Sequence, residues 1–464
     1  MFLWLLNHLT ALSPESLAGW GKITPRAAMA AGMSFAVAVL LGPWWIAWLR
    51  RHFRESIKSD SAEVARLHRD KQSTPTMGGL FVVAALVASL LLFGDLHNGY
   101  MAPALVVAVG LTAVGIVDDL VKIRTTAKGI GVRSKFVAQV LVAGVAAALL
   151  YQQQAAVPGG LSLHLPLMGT SCSLGLWFLP LAIVVIVGAS NAVNLTDGLD
   201  GLAGGCLVAA MAAMTGLVYA AGHAEWAAYL GIPRLPHAGE MTVLAAAMIG
   251  GTLGFLWFNC HPAQVFLGDT GALPLGGLLG FLAVVARQEL LLVVIAGVFV
   301  VEAGSVIVQV GYFKWRRRRL LRCAPLHHHF QLLGWAENKI VVRFWIASAL
   351  CALVGAASLK LGVPEAPLDV IAKKPANISV RETVCSNPVF QELRTARTDG
   401  KEGDRGGWGA GKGDRHLLCE AGHQPKAGRG PFRQKVPVPF SRSKLDDVLT
   451  TTSSAPLTSQ TITK

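Results

Sequence analysis

Ten stretches of the chain are each apolar enough to cross a lipid bilayer, near residues 24–49, 77–94, 101–117, 135–151, 175–190, 201–221, 241–258, 272–286, 290–312 and 340–361. A spanning helix needs about 20 mostly apolar residues, because 1.5 Å per residue must match a hydrocarbon core of about 30 Å. Inside lipid every backbone N–H and C=O must be bonded within the protein, so repeated spans of this kind form a helical bundle. The sequence therefore predicts an all-α polytopic membrane protein with about ten transmembrane helices, occupying residues 1–363. The eighth stretch is short and rich in glycine, which predicts a tilted or broken helix. Composition agrees: 15% of the 464 residues are charged, against about 25% in soluble domains.

Beyond residue 363 the pattern stops. The segment 364–464 is rich in Gly, Pro, Ser, Thr and charge, lacks helical periodicity, and reads as a disordered tail with no assignable function. A net charge of +14 does not point to nucleic acid, because 16 of the 41 Lys/Arg lie in that tail and the others cluster beside spans. There, basic residues are first of all a topology signal. The seven cysteines include no CxxC pair, so neither a disulfide framework nor a zinc ribbon is expected. The apolar first residues lack a basic start and a small-residue cleavage site, so no cleaved signal peptide is expected.

Ten spans sort the loops into two sets. Loops 50–76, 118–135, 191–200, 259–271 and 313–339 carry 19 Lys/Arg, including Arg50, Arg51, Arg54, Lys71, Lys122, Lys135 and the run Arg316 to Arg319. The other set, with the N-terminal segment, carries Lys22, Arg26, Arg234 and Arg287. Positive charge stays inside, so the first set faces the cytoplasm and both termini lie outside. Asp118, Asp119, Asp197, Asp200, Asp269 and His327, His328 and His329 fall on that same face, although the Lys/Arg count did not use them. Polar groups gathered at one face predict a cytoplasmic site. They weigh against a transporter, whose intramembrane charges sit near mid-depth.

Short motifs carry the chemistry. Val117-Asp118-Asp119-Leu120-Val121-Lys122 sets two adjacent carboxylates where a span ends. Their repulsion and desolvation call for a cation or a lysine. Asp119 and Lys122 also share a helix face, so a plain ion pair fits too. Asn191 to Gly201 packs two Asn, two Asp and two Gly into a short connector. Such groups serve as turns and caps. They can also read a nucleobase or a ribose, and glycine allows the close approach this needs. Asp269, in the Gly-flanked turn Phe266 to Gly271, suits Mg2+, which takes one or two carboxylates beside substrate phosphates and water. Asp269 also fits as the N-cap of the eighth span, where the helix terminus itself favours phosphate. His327, His328 and His329 are consecutive and share no helix or strand face, so imidazoles near a phosphate fit better than zinc. Lys71 and Thr76, leading into the second span, are placed to contact phosphate. Glu302 lies within the ninth span, where an acid is either functional or bonded inside the bundle.

Together, TPTMGG at 74–79, VDDxxK at 117–122, NAVNLTDGLDGLA at 191–203, FLWFN with PAQVFLGDTG at 255–271, and APLHHHF followed by GW at 324–335 resemble the polyprenyl-phosphate N-acetylhexosamine-1-phosphate transferases. The similarity runs from about residue 1 to 361. The histidine triplet points to the muramoyl branch rather than to sister enzymes that use UDP-GlcNAc. The resemblance implies a multi-pass enzyme of the bacterial inner membrane, surrounded by membrane lipid, with Mg2+ as cofactor. It implies UDP-MurNAc-pentapeptide and undecaprenyl phosphate as substrates, and lipid I and UMP as products. A homodimer is compatible with it. By the same resemblance, Asp118 and Asp119 are catalytic carboxylates and Asp269 binds Mg2+. Lys71, Thr76, Asn194, Asp197, Asp200 and Phe266 bind the donor. Lys122, Lys135 and the three histidines complete the catalytic site. The chain departs from the family pattern at Gln72 and Ser73, where Arg-Gly is usual, at Ala272 (Ser), at Gln331 (Glu) and at Pro274.

Overall fold

The computed structural model describes residue 2 and residues 18–52, 74–127, 129–166 and 168–362. The segment 364–464 and Lys71, Gln72 and Ser73 lie outside the described residues. The described chain holds helices α1 (Ile23–His52), α2 (Gly79–Phe93), α3 (Met101–Arg124) and α4 (Val132–Ala155). A hairpin of β1 (Ser162–Leu165) and β2 (Thr170–Ser173) follows, then α5 (Phe178–Thr196), α6 (Leu202–Gly222), α7 (Ala224–Leu230) and α8 (Met241–Asn259). The chain continues with α9 (Asp269–Ala286), α10 (Glu289–Ile295), α11 (Gly297–Arg316), α12 (Leu326–Leu332) and α13 (Glu337–Ser358). Among the described residues, nine helices are long and apolar enough to span a membrane, and α2 is a tenth apolar helix of 15 residues. The ten apolar stretches are thus helices, as expected. The antiparallel hairpin, which pairs Ser162 with Ser173 and Leu165 with Thr170, is an addition that the apolar pattern did not announce.

Helix α9 is the centre of the bundle. All 18 of its residues are buried, against about a quarter of α1, α4 and α13. It packs against α2, α3, α5 and α6. The expected break does not occur in this eighth stretch. Its glycines serve close packing: a Cβ on Gly276 would lie 2.6 Å from the Ala189 carbonyl, and one on Gly280 would lie 2.7 Å from that of Val185. Pro274 only gives up the N–H that would bond the Thr270 carbonyl, and the helix runs through it. The break falls instead in the ninth stretch, at Ala296 between α10 and α11.

Two buried knots close the end of the bundle away from the motifs. Arg26 grips Glu240 through two bonds of 2.7 and 2.6 Å, and Glu240 also accepts the Asp95 N–H at 2.7 Å. Arg287 donates to the Ser162 carbonyl, pairs with Glu289 at 2.9 Å and lies 4.8 Å over the Phe178 ring. Arg26 and Arg287 are two of the four basic residues on the sparsely charged face. Both are committed to holding helices together.

Candidate active site

The end of α3, the start of α4 and the start of α9 converge on five charged groups. Asp118, Asp119 and Asp269 are 2%, 1% and 7% exposed, and one oxygen of each lies within 4.8 Å of the others. Three carboxylates so close and so dry repel strongly, and two lysines offset them. Lys122 Nζ is 2.8 Å from Asp118, 3.2 Å from Asp119 and 2.7 Å from Asp269. Lys135 Nζ bonds Asp269 and lies 3.5 Å from Asp118. Local packing explains the meeting. Gly115 is one helical turn before Asp119, and a Cβ there would strike the Asp269 carbonyl, so only glycine lets α3 and α9 approach this closely.

The three aspartates are not equivalent. Asp119 accepts hydrogen bonds from the Thr270 N–H at 3.0 Å, the Thr270 hydroxyl at 2.6 Å and the Asp269 N–H at 3.3 Å. It thereby caps α9 from a neighbouring helix. Asp269 is not the N-cap, as one reading of its turn suggested, but the first residue of α9. The N-cap is Gly268, at φ 70. A Cβ there would sit 2.7 Å from Asp119 and 2.9 Å from Thr76 Oγ1, so this turn also requires glycine. Asp118 accepts the Ile130 N–H at 2.9 Å, which folds the α3–α4 loop over it.

A second wall comes from residues 75–79, which lie along the strand-like residues before α9. Phe266 N–H donates to the Pro75 carbonyl at 2.9 Å, Gly78 N–H to Phe266 at 2.8 Å, and Gly79 N–H to Leu267 at 2.9 Å. Thr76 and Phe266, 190 positions apart in sequence, thus flank the same helix terminus. Asp197 ends α5 as its C-cap, and its N–H bonds the Asn194 carbonyl at 3.3 Å. Burial pushes the Asp197 carboxyl up to about 7, helped by the Asp269 and Asp119 charges and opposed by Lys122 and the Gly268 N–H. Asp197 therefore belongs electrostatically to the triad.

Asp200 is engaged differently. Its carboxylate accepts His261 Nδ1 at 3.0 Å and the Ala263 N–H at 3.1 Å, and its own N–H donates to Glu337 at 2.9 Å. Gly201 beside it bonds Asn259 at 3.0 Å and accepts the Trp345 indole N–H at 3.1 Å. These bonds anchor the Asn/Asp loop to the end of α8 and the start of α13.

The three histidines turn to three partners. Glu302 accepts both the backbone N–H and Nδ1 of His327 at 3.1 Å each. His328 Nδ1 meets Gln331 Oε1 at 2.8 Å. His329 Nδ1 accepts the Arg322 N–H at 3.1 Å. Glu302 is the residue that sequence reasoning left outside the site. Its signal was present as an acid within an apolar span. Beside His328 opens a cavity of about 640 Å³, whose lining includes Lys314, Arg317, Arg319 and Arg322 together with Val306 and Phe313.

Chemically, the triad offers hard oxygen donors that suit a divalent cation such as Mg2+, and the donors are close enough to share one. The lysines and the arginine-lined cavity suit phosphate oxygens. The triad lies largely out of water, while the basic residues beside His328 are exposed.

A family model described as glycosyl transferase family 4 matches residues 101–287. A phospho-N-acetylmuramoyl-pentapeptide-transferase of Solidesulfovibrio magneticus is 50% identical over 366 residues, covering 77% of this chain and 98% of the relative. One from Nitratidesulfovibrio vulgaris is 48% identical over 343 residues, covering 73% and 94%. One from Koribacter versatilis is 43% identical over 361 residues, covering 73% and 93%. Likeness of this depth, over nearly the full length of each relative, shows that the chain belongs to the phospho-N-acetylmuramoyl-pentapeptide-transferase family.

Proposed function

We propose that this protein transfers phospho-N-acetylmuramoyl-pentapeptide from its UDP-activated form to undecaprenyl phosphate, at the cytoplasmic face of the bacterial inner membrane, giving lipid I and UMP. The observation that carries the reading is the buried group of Asp118, Asp119 and Asp269 bridged by Lys122 and Lys135. A lipid phosphate and a pyrophosphate repel each other, and phosphoryl transfer is chiefly a matter of positioning and charge stabilisation. Asp269, with Asp118 and Asp119 beside it, would hold Mg2+, which when bound supplies Lewis-acid neutralisation of phosphoryl oxygens.

The protein's own groups do the rest. Lys122 and Lys135 neutralise phosphate oxygens on the reacting groups. Asp119 takes the Asp269 and Thr270 N–H groups and so fixes the α9 start from which Asp269 faces the site. Thr76, Phe266, Asn194 and Asp197 wall the nucleotide, and Asp200 braces the loop that carries two of them. Asp118 orients the lipid phosphate and takes its residual proton. That proton is mostly absent already, since the second pKa of a phosphate monoester is about 6. The lipid phosphate is therefore a competent nucleophile, and direct in-line attack needs no aspartyl intermediate.

Purified protein in detergent with Mg2+ tests the reading. UMP release should require both UDP-MurNAc-pentapeptide and undecaprenyl phosphate. Equal release with UDP-GlcNAc would replace it by the sister-enzyme reading. Accumulation of a phosphorylated aspartate without lipid would overturn direct attack.

A further inference from the structure

We propose that Glu302 is a positioning residue for the transfer, holding His327 so that its ring edge packs against Gly198 and fixes the Asp197–Gly198 turn beside the triad. The proposal rests on the transfer taking place at this site. Helix α11 is otherwise the least buried of the long helices, with 17% of its span covered, and Glu302 is one of only three buried residues on it. A carboxylate 0% exposed on such a helix must find donors inside the protein. Both of its oxygens go to a single residue, Oε1 to the His327 backbone N–H and Oε2 to the ring Nδ1.

That pairing fixes the imidazole. A carboxylate only accepts hydrogen bonds, so Nδ1 carries the proton and Nε2 becomes the ring's remaining polar position. His327 is 1% exposed, and among the described residues Nε2 has no hydrogen-bond partner. A buried polar atom left so is costly. The ring of His328, at 4.2 Å, packs edge-on against His327 and limits its rotation.

Where Nε2 points is equally specific. A Cβ built on Gly198 would collide with it. Gly198 does not occupy the left-handed region of backbone space, so its conformation does not demand glycine. The missing side chain instead lets the imidazole edge pack directly on the backbone there. Gly198 follows Asp197, whose carboxyl feels the Asp269 and Asp119 charges, so this edge borders the triad. Glu302 thus sets the orientation of the ring that braces the turn carrying Asp197.

The test uses full-length protein in nanodiscs, with Glu302→Gln, His327→Ala, the double variant and Gly198→Ala. Glu302→Gln should keep its thermal unfolding close to wild type yet lose about 10–100-fold in kcat/KM. The double variant should be no slower than His327→Ala alone, because both changes remove one function. Gly198→Ala should lose activity while remaining folded. Nitrogen-15 spectra of histidine-labelled protein should show one protonated Nδ1 signal, absent from His327→Ala, that changes in Glu302→Gln. Additive losses in the double variant, an unchanged Nδ1 signal in Glu302→Gln, or full activity of folded Gly198→Ala would overturn the proposal. Failure of the wild type to release UMP would instead refute the transfer reaction, and the spectra would still report on the Glu302–His327 pair.

Discussion

Asp119 on α3 holds Thr270 on α9 twice, accepting its backbone N–H at 3.0 Å and its hydroxyl at 2.6 Å. The same carboxylate is 3.2 Å from Lys122. A residue that would be read as purely catalytic thus also fixes the helix start from which Asp269 projects. Thr270→Val removes only the hydroxyl bond. It should lower stability by about 1 kcal/mol, seen as a reduced melting temperature in detergent, and should lower transfer activity modestly because Asp269 loses its firm base.

Lys122 offsets three buried carboxylates at once, so Lys122→Gln leaves Lys135 as the lysine paired with them among the described residues. Breaking a buried ion pair from one side costs about 3–5 kcal/mol. The variant should melt well below wild type in EDTA and regain much of the difference in millimolar Mg2+, while its transfer rate stays low. A melting temperature indifferent to Mg2+ would mean that the carboxylates do not bind the ion.

Asp197 supplies a pH dependence. Its carboxyl titrates at about 7 in the metal-free protein, above its ordinary value of 3.8, because burial and the Asp269 charge disfavour ionisation. The folded state therefore holds this proton more tightly than the unfolded chain. The resulting stability is fully present below about pH 4 and is lost as pH rises through 7. In EDTA, melting temperature should fall between pH 5 and pH 8 by an amount that Asp197→Asn removes, of the order of 2 kcal/mol.

Asp200 separates a bracing role from a donor-contact role. Its bonds to His261 and Ala263 predict that Asp200→Asn loses about 1–3 kcal/mol of stability, with activity reduced through a raised KM for the donor. Unchanged stability together with a large fall in kcat would place Asp200 against the reacting groups instead.

Much of this was legible in the chain, and the exceptions share a cause. The apolar stretches became helices because spanning length and backbone satisfaction are local demands. The Asp118–Asp119–Lys122 face followed from helical spacing. Glycine number misled, because the several glycines of α9 mark contact with α5 while the actual break, at Ala296, is bordered by the single Gly297. The capping of α9 by Asp119 and the Glu302–His327 pair join residues 151 and 25 positions apart, and no local pattern encodes such partners. Lys71 falls outside the described residues.

The central claim is that Asp269 and its two neighbouring carboxylates hold the divalent ion that lets two phosphate anions meet. UMP release by Asp269→Ala, at saturating donor, lipid phosphate and Mg2+, tests it most directly. The account predicts a fall of about a thousandfold or more, with the variant still folded. Turnover near the wild-type rate would contradict it.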